Sequence, residues 1–311
     1  MVLLYLFTYL SVLVFIILVI SKIIKYSSTP VHVRWELYPV AHETDRNKYG
    51  GSYYEEEEWW KKKVKKNHFA ELWVMFEEIF FLKGVYHNNK KLWLFSFPFH
   101  FGLYLIVGTF ILIFASAILD ITSVINLYNT QSVIGGVLSI ATDICGYAGL
   151  AITFVGCVGL IIQRSTDEKF KFYNAPMDFI NLYFILVLVI SISITLLFSN
   201  PSFILSKYYA RNLLSLNFEI IPDTLFIIHI ILISLFLLYF PITRMMHLFS
   251  KYFTYHNVRW EDEANVKGSK LEKRIKEALN FGVSWSAPHV KTGKTWAEVA
   301  TTFPPEMKNE T

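Results

Sequence analysis

Nine histidines punctuate this 311-residue sequence, and three of them sit where ionisable side chains are rare. His229 and His247 bracket the stretch HIILISLFLLYFPITRMMH, and His100 lies in FPFHFG at the start of another apolar run. The other six (His32, His42, His68, His87, His256 and His289) fall in polar segments, where exposure to water accounts for them. Histidine inside an apolar span is costly, tends to face protein rather than lipid, and so marks a functional site. In one continuous helix, eighteen residues make five whole turns, which points His229 and His247 the same way about 27 Å apart along the axis. Hydrogen bonding to carbonyls, or capping of helix ends, is the plain alternative for each ring.

A neutral imidazole carries one nitrogen lone pair for a metal. His100 stands about one turn into its run and His247 closes another, so antiparallel helices would bring the two to one depth. Two imidazoles facing each other across a helix bundle are the ligand set of six-coordinate haem iron. Arg244 lies three residues before His247, and Arg164 ends a third run on the same side. Either guanidinium could pair with a haem propionate or simply snorkel to the interface. Gly146, Gly149 and Gly156 form a narrow arc that could admit a macrocycle edge or let two helices pack closely. Asp143 is the one carboxylate well inside a run, placed to exchange protons with a redox partner or to bond to a neighbouring helix. Asp120 and Asp178 lie at run ends, where capping or solvation explains them. The two cysteines, Cys145 and Cys157, cannot supply a four-thiolate iron–sulfur or zinc site.

The elements that must position these groups follow from composition. Hydrophobic residues make up 54% of the chain and aromatics 17%, and they cluster. Five runs, near 3–24, 97–119, 135–162, 178–199 and 222–248, each reach the roughly 20 residues of helix that cross a bilayer. The expected fold is an all-α integral membrane protein with five transmembrane helices in an up-down bundle. Pro241 should bend the fifth helix just before His247. Twenty-six of the 29 Lys and Arg residues fall in 22–96, 163–177 and the tail from 249, which places the amino terminus outside and the tail in the cytoplasm. Topology thereby accounts for the net charge of +4 without a nucleic acid. The run at 3–24 has no basic flank before it and no small-residue cleavage site after it, so a retained helix is expected.

Four regions result: a first helix (1–25), a cytoplasmic loop with interfacial amphipathic helices (26–96), a four-helix core (97–248) and a cytoplasmic tail (249–311) for docking a soluble partner. In the loop, Phe69, Leu72, Trp73, Phe76 and Phe80 share one helical stripe, suited to a membrane interface or a partner's surface. In the tail, KLEKRIKEAL reads as a short charged helix with Leu271, Ile275 and Leu279 along its apolar edge.

With FPFHFG around His100 and PITRMMH closing on His247, eighteen residues after His229, the chain resembles the gamma subunit of respiratory nitrate reductase. It is similar also to cytochrome b subunits of heterodisulfide-reductase-like and sulfite-reduction-associated complexes. The resemblance covers roughly residues 95 to 250; the 26–96 loop and the tail lie outside it. It implies haem b, with His100 and His247 ligating a cytoplasmic-side haem and His229 an outer one. The outer haem's second ligand is expected ten residues after His100, and that position here is Phe110, which leaves this haem open. The implied role is electron transfer between a quinone such as menaquinone and a cytoplasmic iron–sulfur or catalytic oxidoreductase subunit, in the cell membrane. Asp143 would be a quinone-linked proton relay. A haem-free anchor and a histidine-dependent ion transporter are the competing roles.

Overall fold

The computed structural model describes residues 2–30, 57–58, 61, 68–127, 132–171, 174–258, 266–286, 290 and 292–301. His32, His42 and His289, with most of the 31–67 loop, lie outside the described residues, as does the side chain of His256. The helices in chain order are α1 (Val2–Ser28), α2 (His68–Phe80), α3 (Lys83–Asn88), α4 (Lys90–Ile121), α5 (Val133–Thr166), α6 (Glu168–Lys171), α7 (Pro176–Phe198), α8 (Ile204–Leu214), α9 (Thr224–Tyr239), α10 (His247–Val258), α11 (Lys270–Leu279) and α12 (Trp296–Thr301). Four of them, α1, α4, α5 and α7, together with Thr224–Ile242, are long and apolar enough to cross a membrane. Their ends carry local signals. Asn89, Ser132 and Asp223 each accept a backbone N–H from the first turn of α4, α5 and α9, and α7 opens on Pro176 with Asp178 two residues on.

Two compact units divide the chain, one of Met1–Val19 and Phe76–Met245, the other of Ile20–Met75 and Met246–Thr311. The first unit is built on the α4–α5 pair. A Cβ added at Gly156 would run into the backbone of Phe99, and one at Gly102 would meet Thr153 N at 2.6 Å and Gly149 O at 2.9 Å. One at Gly149 would lie 3.0 Å from Leu105 Cβ. Helices in lipid gain little from the hydrophobic effect and associate through this kind of close backbone packing. The glycines of α5 therefore seat α4 and, at Gly146, the ring of Phe203; they do not frame a slot for a macrocycle.

The fifth span departs from the expected single helix over 222–248. Helix α9 stops at Tyr239, a 3-10 turn covers Phe240–Ile242, and Thr243 is extended at φ −109° and ψ 176°. A second 3-10 turn over Arg244–Met246 precedes α10. Pro241 has no N–H to continue the ladder. Thr243 then ends the segment twice over, donating its hydroxyl to Phe240 O at 2.9 Å and accepting from Met245 N at 3.2 Å. The five-turn register linking His229 to His247 is thus interrupted, and the shared-face argument does not carry across the break.

The first helix is held by polar contacts. Tyr5 donates to Glu219 O at 3.1 Å and Tyr9 to Leu213 O at 2.6 Å, while the Thr8 hydroxyl lies 2.7 Å from Tyr209 Oη and 3.3 Å from Ser234 Oγ. Around these, Leu4, Tyr5, Tyr209, Phe226 and Ile230 form a small buried cluster. In the second unit, α11 buries Leu271 and Ala278 and starts at Ser269, whose side chain accepts from Glu272 N.

Candidate functional site

His229 is 5% exposed, one and a half turns into α9. Its Nδ1 lies 2.7 Å from Ser191 Oγ on α7, and Ser191 donates its own hydroxyl hydrogen to Leu188 O at 2.9 Å. A serine has one hydrogen to give; directed at Leu188 O, it leaves Ser191 to accept from His229 with the imidazole proton on Nδ1. That leaves the lone pair on Nε2, which is the tautomer a metal takes, oriented by a hydrogen bond behind the ring.

His100, half-buried on α4, reaches the same state by a different route. Its Nδ1 donates to Ser96 O, one turn back on its own helix, at 2.7 Å. Phe110, ten residues further along α4, is 41% exposed and turns an apolar ring to the outside of the unit. His247 opens α10 as an exposed residue in the second unit. The expected pairing of His100 with His247 thus joins residues of different units.

The two arginines meet on one carboxylate. Asp178 Oδ2 lies 3.7 Å from Arg164 Nη1, and Asp178 Oδ1 lies 3.6 Å from Arg244 Nη1. Asp178 also caps α7, accepting from Ala175 N at 3.0 Å, so it does more than the end-capping expected of it. Arg164 is fixed further by Asn174, which accepts from its Nη1 at 3.1 Å and donates to its backbone oxygen at 2.8 Å. Arg244 keeps 72% of its side chain exposed.

At the opposite ends of these helices lies one of the three basic residues outside 22–96, 163–177 and the tail. Lys207, on α8, is 4% exposed, and its ammonium donates to Ser139 Oγ on α5 at 3.2 Å. Burial lowers its pKa from the ordinary value, and the nearby Asp143 carboxylate opposes that shift in part. Asp143 Oδ1 is itself buried without a hydrogen-bond partner among the described residues. The geometry comes from the turn before α8. Asn200 is fully buried, accepts from Leu205 N at 2.6 Å and donates to Ser206 Oγ at 2.9 Å. Ser202 and Phe203 follow at φ 54° and 56°, a left-handed pair that folds α8 back onto the bundle. A cavity of about 390 Å³ opens there, lined by Lys207, Ser139, Ser116, Ser202 and Asn126 among others. The one legible signal was the spacing of Asn200-Pro201 before a helix that carries a lone lysine. At the same end, Arg211 and Asp120 pair at 2.6 Å, and Asp120 accepts from Leu127 N at 2.9 Å.

These features define a multi-pass helical membrane protein with two histidines held by hydrogen bonds at Nδ1 and few other ionisable groups in its spans. Residues 84–261 match the family described as nitrate reductase gamma subunit, and the chain belongs to that family. It is accordingly a membrane electron-transfer subunit. No curated protein and no solved structure matches it.

Proposed function

We propose that the protein is the haem b-carrying membrane subunit of a respiratory complex, exchanging electrons between the quinone pool and an iron–sulfur or catalytic subunit in the cytoplasm. The observation that carries this reading is His229, buried on α9 with Nδ1 2.7 Å from Ser191 Oγ, which leaves Nε2 as the nitrogen to meet a metal. His100, with Nδ1 tied to Ser96 O, is in the same state. Both residues fit haem ligation on the chemistry of the donor.

By family pattern His100 and His247 would hold the haem on the cytoplasmic side, the side to which the Lys and Arg bias assigns the His100 end of α4. His229 would hold an outer haem. Phe110 cannot supply its second ligand, so that haem needs another donor or stays five-coordinate. Haem b, when bound, supplies reversible one-electron exchange at iron. Ser96 and Ser191 keep each ring in one orientation and one tautomer, and so set how strongly the ligand donates. Arg164 and Arg244, gathered at Asp178, would supply positive charge to propionates and share it with that carboxylate.

Quinone chemistry adds or removes two protons with two electrons. Asp143 is the carboxylate for that proton traffic, and Lys207 beside it gives a second titrating group lining a cavity of about 390 Å³. Helices α1, α4, α5, α7 and α9 keep bulk water from the span interior, which separates proton exchange at the Lys207 end from electron exchange at the His100 end.

The test is haem b per polypeptide by pyridine haemochrome on the purified, detergent-solubilised chain. One or two per chain is expected. None after full reconstitution would leave a haem-free anchor and sink this reading.

A further inference from the structure

The tail beyond residue 261 lies outside the family match, yet it folds. Val283 N donates to Lys294 O at 2.8 Å, Gly293 N to Val283 O at 3.2 Å and Trp296 N to Phe281 O at 3.1 Å, while Gly282 and Thr295 form an antiparallel bridge. Gly293, at φ 88°, makes the return. Thr295 and Glu298 then cap α12 reciprocally: Thr295 N reaches Glu298 Oε2 at 2.7 Å and Glu298 N reaches Thr295 Oγ1 at 3.3 Å. This small fold buries Leu271, Ala278, Val283 and Val290. It leaves Phe281, Trp285 and Trp296 at 55%, 47% and 37% exposure, with the two indoles 6.2 Å apart.

Two observations say what that aromatic face meets. Arg274 of α11 donates to Thr29 O at 2.8 Å, so the tail is tied to the residue just past the end of α1, a membrane span. A segment tethered there stands beside the end of a membrane span. Over residues 267–301, basic side chains outnumber acidic ones seven to three, and Lys273 and Lys276 are exposed on α11. Indoles favour the membrane–water boundary, where their ring is in the apolar layer and their N–H is wet, and lysines beside them attract anionic headgroups.

We propose that the tail lies on the bilayer surface, with Phe281, Trp285 and Trp296 seated among the headgroups of anionic phospholipid. Its remaining surface is what a soluble subunit would meet, a narrower share than the whole-tail docking expected from sequence.

The experiment uses the full chain in lipid nanodiscs containing bromine-labelled acyl chains. Tryptophan emission of the wild type is compared with that of the Trp285→Phe/Trp296→Phe variant, and the difference reports the two indoles. With phosphatidylglycerol present, the difference emission should fall by at least about half, as interfacial indoles lie within reach of the acyl chains. In pure phosphatidylcholine the quenching should weaken. Unquenched difference emission overturns the proposal and hands the aromatic face to a protein. Equal quenching in both lipids overturns the anionic preference. Should the variant misfold, hydrogen exchange of peptides covering 279–300 in the wild type decides instead: slower exchange with phosphatidylglycerol supports membrane seating, and no change overturns it.

Discussion

Ser191 Oγ and His229 Nδ1, 38 residues apart in sequence, meet at 2.7 Å and join two spans through one hydrogen bond. Both groups are inside the bundle, so neither can turn to water if the other is lost. Replacing Ser191 with Ala leaves a buried imidazole nitrogen without its hydrogen-bond partner, at a cost of about 1–3 kcal/mol. Thermal unfolding in detergent should show the loss. If His229 also ligates iron, the variant's haem should show an altered electron paramagnetic resonance spectrum, because the ring has lost its orienting partner.

His100→Ala and His247→Ala should each remove one haem per chain, and each should convert or abolish the same low-spin optical band. Haem content by pyridine haemochrome decides this directly. A variant of either residue that keeps full haem would overturn the pairing of His100 with His247. His229→Ala serves as the third member of the set and should spare that band.

Lys207 and Asp143 should be energetically coupled. Lys207→Met takes the cation from beside the Asp143 carboxylate, Asp143→Asn takes the carboxylate from beside the ammonium, and the double variant should lose less than the two single losses combined. A coupling of about 1–3 kcal/mol is expected for groups in one network, read from a double-mutant cycle in thermal stability. The pH dependence has a definite sign. Lys207 is lowered in the folded state, so the cost of keeping it charged is present below its folded pKa and is relieved as pH rises from there toward the unfolded value. Wild-type protein should gain stability across that alkaline window from this group, and Lys207→Met should lack that gain.

Gly156→Leu should separate α4 from α5, because even a Cβ at Gly156 meets the Phe99 backbone and a backbone cannot step aside. Overpacking of this kind costs about 1–3 kcal/mol or more, and a lower melting temperature with reduced yield is the expected result. Gly268→Ala is the control for a glycine with open space around it, though its φ of 80° makes that change mildly strained too.

The glycines of α5 also show where reading the chain left two uses open. Gly146, Gly149 and Gly156 fall on one arc by helical spacing alone, and spacing does not say whether a cofactor or a helix fills the arc. The partner atoms come from Phe99, Leu105 and Phe203, all remote in sequence. Pro241 likewise announced a bend, but the extended Thr243 and the second turn at Arg244–Met246 depend on a hydroxyl bonding forward and back, which turned a bend into a break.

Five apolar runs, their caps at Asn89, Ser132 and Asp223, and the unusual histidines are properties of consecutive residues, so the sequence alone determined the spans and which side chains stand out in them. Burial of Lys207 is different in kind. It requires a left-handed turn at Ser202–Phe203, the seat that Gly146 offers Phe203, and a hydroxyl on Ser139, 68 residues away. The bond behind His229 also belongs to the tertiary structure, since only the packed helices bring Ser191 to it, whereas His100 bonds one turn back on its own helix.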